Sequence, residues 1–233
     1  MLRAQLETAF GERIHSPFTD LDKRVWERVS AGIASLDAAT GGVPRGAITE
    51  ILGGLSSGKT RIALSILAAA SSRGEMCALV DGGDAFDPAS GASSGIDLRR
   101  LLWVRCRGLD QTLRSADLLL QAGGFGLVAV DLSDIPQQAV GSAPPATWFR
   151  FQRTIENTPT ILLLVGRESA AKSAAALVLR TRMKQADWSG PIHGPSHGIL
   201  FSGYRLEMDI ARARNFSAPA KSLFHHVRFH PCS

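Results

Sequence analysis

Cysteine is scarce in this 233-residue chain: Cys77, Cys106 and Cys232 are odd in number, widely spaced and never in a CxxC pair. That pattern argues against a disulfide framework and fits a reducing, cytoplasmic setting. Long apolar runs are missing too. The longest, such as ILLLV at 161–165, fall far short of the roughly 20 residues a membrane-spanning helix needs. The opening stretch MLRAQLETAFGE carries acids and lacks an apolar core, so no secretion signal is expected. Repeats, low-complexity tracts and recognisable linkers are absent as well. With 45% apolar residues, the chain is long enough for one well-packed domain, expected over 30–233 behind an N-terminal helical segment, 1–29. Surplus charge is absent from most of the chain. Residues 166–233 hold ten Lys/Arg against four Asp/Glu and so account for the net +5. A basic surplus in one segment suits either a polyanion partner or a solvated face, and charge alone does not choose.

What is present reads as alternating short apolar runs and helical stretches. GAITEILGG, MCALVDG, LLWVRC, GLVAVDL and TILLLVG are strand-like, and TRIALSILAAASSRG, LDQTLRSADLLLQAGG and PATWFRFQRTIEN are helix-like. That order predicts an α/β fold with a mostly parallel sheet flanked by helices. Beyond residue 176 the period changes to two in LVLRTRMKQADW, ILFSGYRLEMDIARAR and LFHHVRFH, which predicts antiparallel strands at the C-terminal end. Upstream, Leu2, Leu6, Ala9 and Phe10 fall on one helical stripe, and Asp20 is placed to cap a second helix over LDKRVWERV.

EILGGLSSGKTR, residues 50–61, carries the chemistry. Gly53, four residues, then Gly58-Lys59-Thr60 is the spacing of a phosphate-binding loop, set between a predicted strand and a predicted helix. Such a loop turns backbone N–H groups and a helix N-terminus toward an anion. Lys59 would reach the terminal phosphates and the Thr60 hydroxyl would ligand Mg²⁺. Asp131, ending LVAVD, is suited to hold the same cation through water.

The stretch SAGIASLDAATGGVPRGAITEILGGLSSGKTRIALSIL, followed by CALVDGGDAFDP, GLVAVD and ARARNFSAPAKSLFHHVRF, resembles the RecA recombinase family over residues 30 to 230. The resemblance implies a RecA-like P-loop NTPase core that binds ATP with Mg²⁺. It assigns the phosphate grip to Ser56, Ser57, Gly58, Lys59 and Thr60, and an adenine contact to Asp87.

The departures share one direction. The family's water-activating glutamate falls on Gly83, its γ-phosphate-sensing glutamine on Arg167, and its adenine-stacking aromatic on Ser90. Two lysines that complete a neighbour's site fall on Ala213 and Asn215, with Arg212 and Arg214 close by as candidates for nucleic-acid contact. Only RESAAKSAAA separates Gly166 from the next strand, where the family has a long DNA-gripping loop. Asp84 and Arg167 are the weak candidates left for any chemistry. Loss of a general base costs on the order of 10²–10⁴-fold, so hydrolysis is expected to be slow or absent.

In this combination the chain is similar to shortened RecA-like accessory proteins of damage-induced mutagenesis, the ImuA type. That resemblance implies as partners an ImuB-like translesion polymerase subunit with an error-prone replicative-type polymerase, or RecA itself, and non-specific DNA. A slow DNA-dependent ATPase of recombination and a modulator of RecA filaments are the alternatives. His193 and His197 sit in a Gly/Pro loop and His225, His226 and His230 on a strand, so solvated or base-contacting histidines are expected before a metal site. Trp148, Phe149 and Phe151 read as core.

Overall fold

A computed structural model describes residues 26–190, 199–214 and 222–228. The N-terminal stripe of Leu2 to Phe10, the Asp20 cap, His193, His197 and His230 lie outside them. Its first elements are a two-residue strand β1 (Arg28–Val29), helix α1 (Ala34–Thr40) and strand β2 (Val43–Pro44). β1 and β2 pair antiparallel, Val29 opposite Val43. Of the stretch LDKRVWERV, expected to be helical, the described part ends in the strand Arg28–Val29 instead. Val29 finds a backbone partner in Val43, and Asp37 just beyond accepts from Ser30 Oγ (2.6 Å) and Ala31 N (2.7 Å), fixing a turn.

Eight strands form the main sheet. β3 (Ile48–Leu52), β4 (Cys77–Asp81), β5 (Leu101–Arg105), β6 (Leu127–Asp131) and β7 (Ile161–Gly166) are the short parallel strands, and β8 (Ala175–Ser189), β9 (Leu200–Ala213) and β10 (Ser222–Arg228) complete it. The spatial order is β10-β9-β8-β3-β7-β6-β4-β5. β8 lies parallel to β3, and β9 and β10 then run antiparallel. The fold is thus the predicted α/β sheet, mostly parallel, with antiparallel strands at its C-terminal end.

Period-two alternation explains how one apolar strand serves two faces. Leu127 and Ala129 of β6, with Ile161, Leu163 and Val165 of β7, join a core against α2 (Lys59–Ser72), whose Ile62, Ile66 and Ala70 are fully buried. Val128 and Val130, with Leu162 and Leu164, face the opposite layer of α4 (Leu109–Ala122) and α6 (Pro145–Ile155). Trp148 and Phe151 of α6 are buried there edge to face, 5.9 Å between ring centres, whereas Phe149 is 42% exposed. A one-residue step of about 100° turns Phe149 away from the face that Trp148 and Phe151 share, so the three aromatics do not share the core. Two short helices, α3 (Pro88–Ser93) and α5 (Gln137–Ser142), follow β4 and β6.

The parallel registers align the strand ends. Asp81 of β4 stands opposite Asp131 of β6, Asp131 opposite Val165 of β7, and Leu52 of β3 opposite Gly166. Everything that follows these residues emerges at the carboxyl edge of the sheet, where open α/β folds bind ligands. No helix among the described residues is long and apolar enough to cross a membrane.

Candidate functional site

The glycine loop leaves β3 at this edge. Gly53 N donates to Gly166 O (3.1 Å), which ties the loop to the end of β7. A Cβ at Gly53 would collide with the Ser57 side chain, and one at Gly58 with the Leu206 side chain of β9. Ser56 and Gly58 both take left-handed backbone, φ 55° and 81°. The resulting curl ends in Gly58, which heads α2 with no side chain capping its first N–H groups. These N–H groups and the helix dipole are left to face an anion.

Lys59 is buried to 6% exposure, and among the described residues its Nζ reaches only the loop carbonyl of Gly54 (3.1 Å). A buried ammonium needs a negative partner to offset lost hydration. Ser57 is also inside, in contact with Thr181 Oγ1 (3.2 Å). A cavity of about 260 Å³ opens over the loop, lined among others by Ser56, Lys59, Thr60, Asp131, Ser133 and Asp134. The Ser133 hydroxyl lines it with no hydrogen-bond partner among the described residues, although the residue is 8% exposed. An orphaned buried hydroxyl, a buried lysine and an uncapped helix start converge on one cavity. These residues fit a triphosphate with its cation.

Asp131 accepts from Ser133 N (2.8 Å). Burial raises its pKa above the ordinary value, helped by the charges of Asp81 and Asp134 and opposed by the neighbouring Ser133. A divalent cation would relieve that cost, which suits Asp131 and Thr60 to hold Mg²⁺. Asp81 is differently engaged, accepting from Ala85 N (3.1 Å), Phe86 N (2.9 Å) and Trp103 Nε1 (3.2 Å), and so shapes the turn after β4.

The remaining candidates disperse. Asp84 is clamped by Arg105, at 2.5 and 2.7 Å, and that guanidinium holds its carboxyl below the usual range. An ion-paired carboxylate with a lowered pKa is a poor base. Arg167 donates from Nε to the carbonyl of Ser133 (3.1 Å), a residue that lines the cavity. Asp87 caps α3, accepting from Ala89 N, Ser90 N and Ser90 Oγ, so its carboxylate is already engaged. Arg212 and Arg214 donate to the carbonyls of Lys172 and Ser173 and fasten the segment after β7. His226 meets Asp187 (2.6 Å), and no metal-like cluster of three His, Cys, Asp or Glu occurs among the described residues.

Three features escaped sequence reasoning. Glu50, in the middle of β3, is fully buried and accepts from Ser169 Oγ (2.6 Å), Ala170 N (2.8 Å) and Ala171 N (2.8 Å). Only its charge within a strand of otherwise uncharged residues hints at a role. Asp134 lies beside Gly83, a proximity that no local pattern encodes. Trp188, Phe201 and Tyr204 of the β8–β9 hairpin line a second hollow, about 460 Å³, on the outer side of the glycine loop.

The family model of the RecA N-terminal domain matches residues 2–139, more than half the chain. The chain belongs to that family. It is 40% identical over 131 residues to Protein RecA of Paramagnetospirillum magneticum, covering 55% of this chain and 36% of the relative. Protein RecA of Brucella canis and of Brucella suis match with the same identity and coverage. The matched stretch thus spans little more than a third of those relatives' length. The family match over residues 2–139 contains the glycine loop, α2, β4 and Asp131, which contribute to the cavity.

Proposed function

We propose that the chain binds ATP with Mg²⁺ as a structural or switching ligand and acts as an adaptor in DNA-damage tolerance, with little or no turnover. The observation that carries the reading is the contrast within one sheet edge. The glycine loop presents uncapped N–H groups and a buried Lys59 at the cavity, which supports phosphate binding, while the neighbouring positions for chemistry and DNA grip are closed or lack the expected side chains. Gly83 offers no carboxylate and Asp84 is tied to Arg105. The segment after β7, where the resembling recombinases carry a DNA-gripping loop, is short and held from below by Glu50 and from the side by Arg212 and Arg214.

Bound ATP–Mg²⁺ would supply the charges that organise the loops around the cavity. Ser56, Gly58 and Lys59 would orient the phosphates, and Thr60 with Asp131 the cation. Partners of the ImuB-like polymerase type, or RecA itself, follow from the resemblance to shortened accessory proteins. Membership of the RecA N-terminal domain family supports a setting in recombination or repair. A deletion strain tests the adaptor reading: induced mutation after damage should fall while homologous recombination persists. If recombination falls and induced mutation is untouched, the recombinase alternative replaces it.

A further inference from the structure

Gly83 follows β4 with no side chain of its own, and the space beside it is filled from the loop after β6. A Cβ built on Gly83 would stand 2.6 Å from Asp134 Cβ, 2.9 Å from Asp134 Oδ2 and 3.2 Å from Asp134 Cγ. Such approaches are closer than packed atoms tolerate, so any side chain at position 83 and the present Asp134 exclude each other. Where the resemblance calls for a glutamate, the carboxylate in that space comes from the loop after β6.

Elimination among the acids of the cavity points the same way. Asp81 is held by two backbone N–H groups and an indole, and Asp131 turns to Ser133 N beside Thr60. Asp84 is drawn out to Arg105. Asp134 lines the same cavity as Lys59, Thr60 and the unpartnered Ser133 hydroxyl. Among the described residues it makes no hydrogen bond or ion pair of its own. Its exposure leaves it open to a water molecule at the mouth of the cavity.

We infer that Asp134 supplies the carboxylate missing at Gly83 and acts as proton acceptor in a slow hydrolysis of the bound nucleotide. The inference rests on the nucleotide-binding reading above and replaces "no turnover" with "slow turnover". In the step, water oxygen bonds to the γ-phosphorus as its bond to the β,γ-bridging oxygen breaks. The water proton passes to an Asp134 oxygen and then to the released phosphate or solvent, leaving ADP. A shorter side chain, reaching in from a loop at the cavity mouth, accounts for a low rate.

The test combines single-turnover phosphate release with calorimetry of ATP–Mg²⁺ binding and thermal melting. Asp134→Asn should retain nucleotide affinity and lose at least about 10²-fold in phosphate release, the lower range for removal of a general base. The exchanged pair Gly83→Glu/Asp134→Gly should restore release. Independently of activity, Gly83→Ala should lower the melting temperature, and Gly83→Ala/Asp134→Gly should regain it. ATP binding with equal release from wild type and Asp134→Asn, or with none from wild type, overturns the inference alone. So does loss of nucleotide affinity in Asp134→Asn, because the residue would then be serving the cation. Absence of ATP binding by the wild type overturns the nucleotide reading and this inference together.

Discussion

Replacing Glu50 by alanine should release the segment that follows β7. Glu50 lies in a strand whose five residues are all buried, and its carboxylate collects three donors from residues 169–171. In Glu50→Ala the N–H groups of Ala170 and Ala171, both at buried residues, lose their acceptor. At about 1–3 kcal/mol for each buried donor left unsatisfied, the loss is about 2–6 kcal/mol. The Ser169 hydroxyl, nearer the surface, turns to water and adds little. Glu50→Gln keeps one oxygen where both N–H groups point and should lose only about 1 kcal/mol. Urea unfolding followed by circular dichroism measures both. At a slope near 3 kcal/mol per molar urea, the alanine variant's midpoint should fall by roughly 1–2 M. A midpoint within about 0.2 M of wild type, or glutamine as damaging as alanine, would refute the view that this carboxylate closes the loop.

Asp131→Asn should raise the melting temperature of the nucleotide-free protein at neutral pH. Burial raises the Asp131 pKa above 3.8, so its contribution favours folding below that value and turns unfavourable as pH rises through the folded value. The same variant should lose the stabilisation gained on adding ATP with Mg²⁺, and differential scanning fluorimetry at several pH values checks both. Glu207 behaves oppositely: hydrogen bonding to Arg182, then Lys184, holds its pKa at about 2. Its contribution is therefore present above about 4.5 and fades toward pH 2, so Glu207→Gln should match wild type only at the acid end. DNA binding, measured by fluorescence anisotropy, should be independent of sequence, with log K falling by about 0.9 for each duplex phosphate neutralised. Arg212→Ala/Arg214→Ala should reduce that slope, and an unchanged slope would leave the two arginines a loop-fastening role only.

Local pattern carried most of the fold, because both faces of a parallel sheet demand apolar residues and the strands announce themselves as short Leu/Val runs between helices. The glycine loop was legible for a similar reason, since Gly53 and Gly58 answer to close contacts that only a missing Cβ permits. Val29 was harder to place, since its strand exists only by pairing with Val43. Asp134 and Gly83 are 51 positions apart, and only the parallel register of β4 with β6 brings their loops together. Arg212 and Arg214 read as free charge in the sequence, yet antiparallel pairing of β9 with β8 delivers them to carbonyls at 172 and 173. Charge counts reveal surplus, whereas the partner of each charge depends on topology.

Calorimetric titration of ATP–Mg²⁺ into the purified protein, beside Lys59→Ala, tests the central claim most directly. Lys59 is buried against the loop it must serve, with Gly54 O as its one hydrogen-bond partner among the described residues. The wild type should bind with measurable heat, and Lys59→Ala, with its folding checked by circular dichroism, should lose most of it. Equal heats from the two proteins, or none from the wild type, would contradict the account.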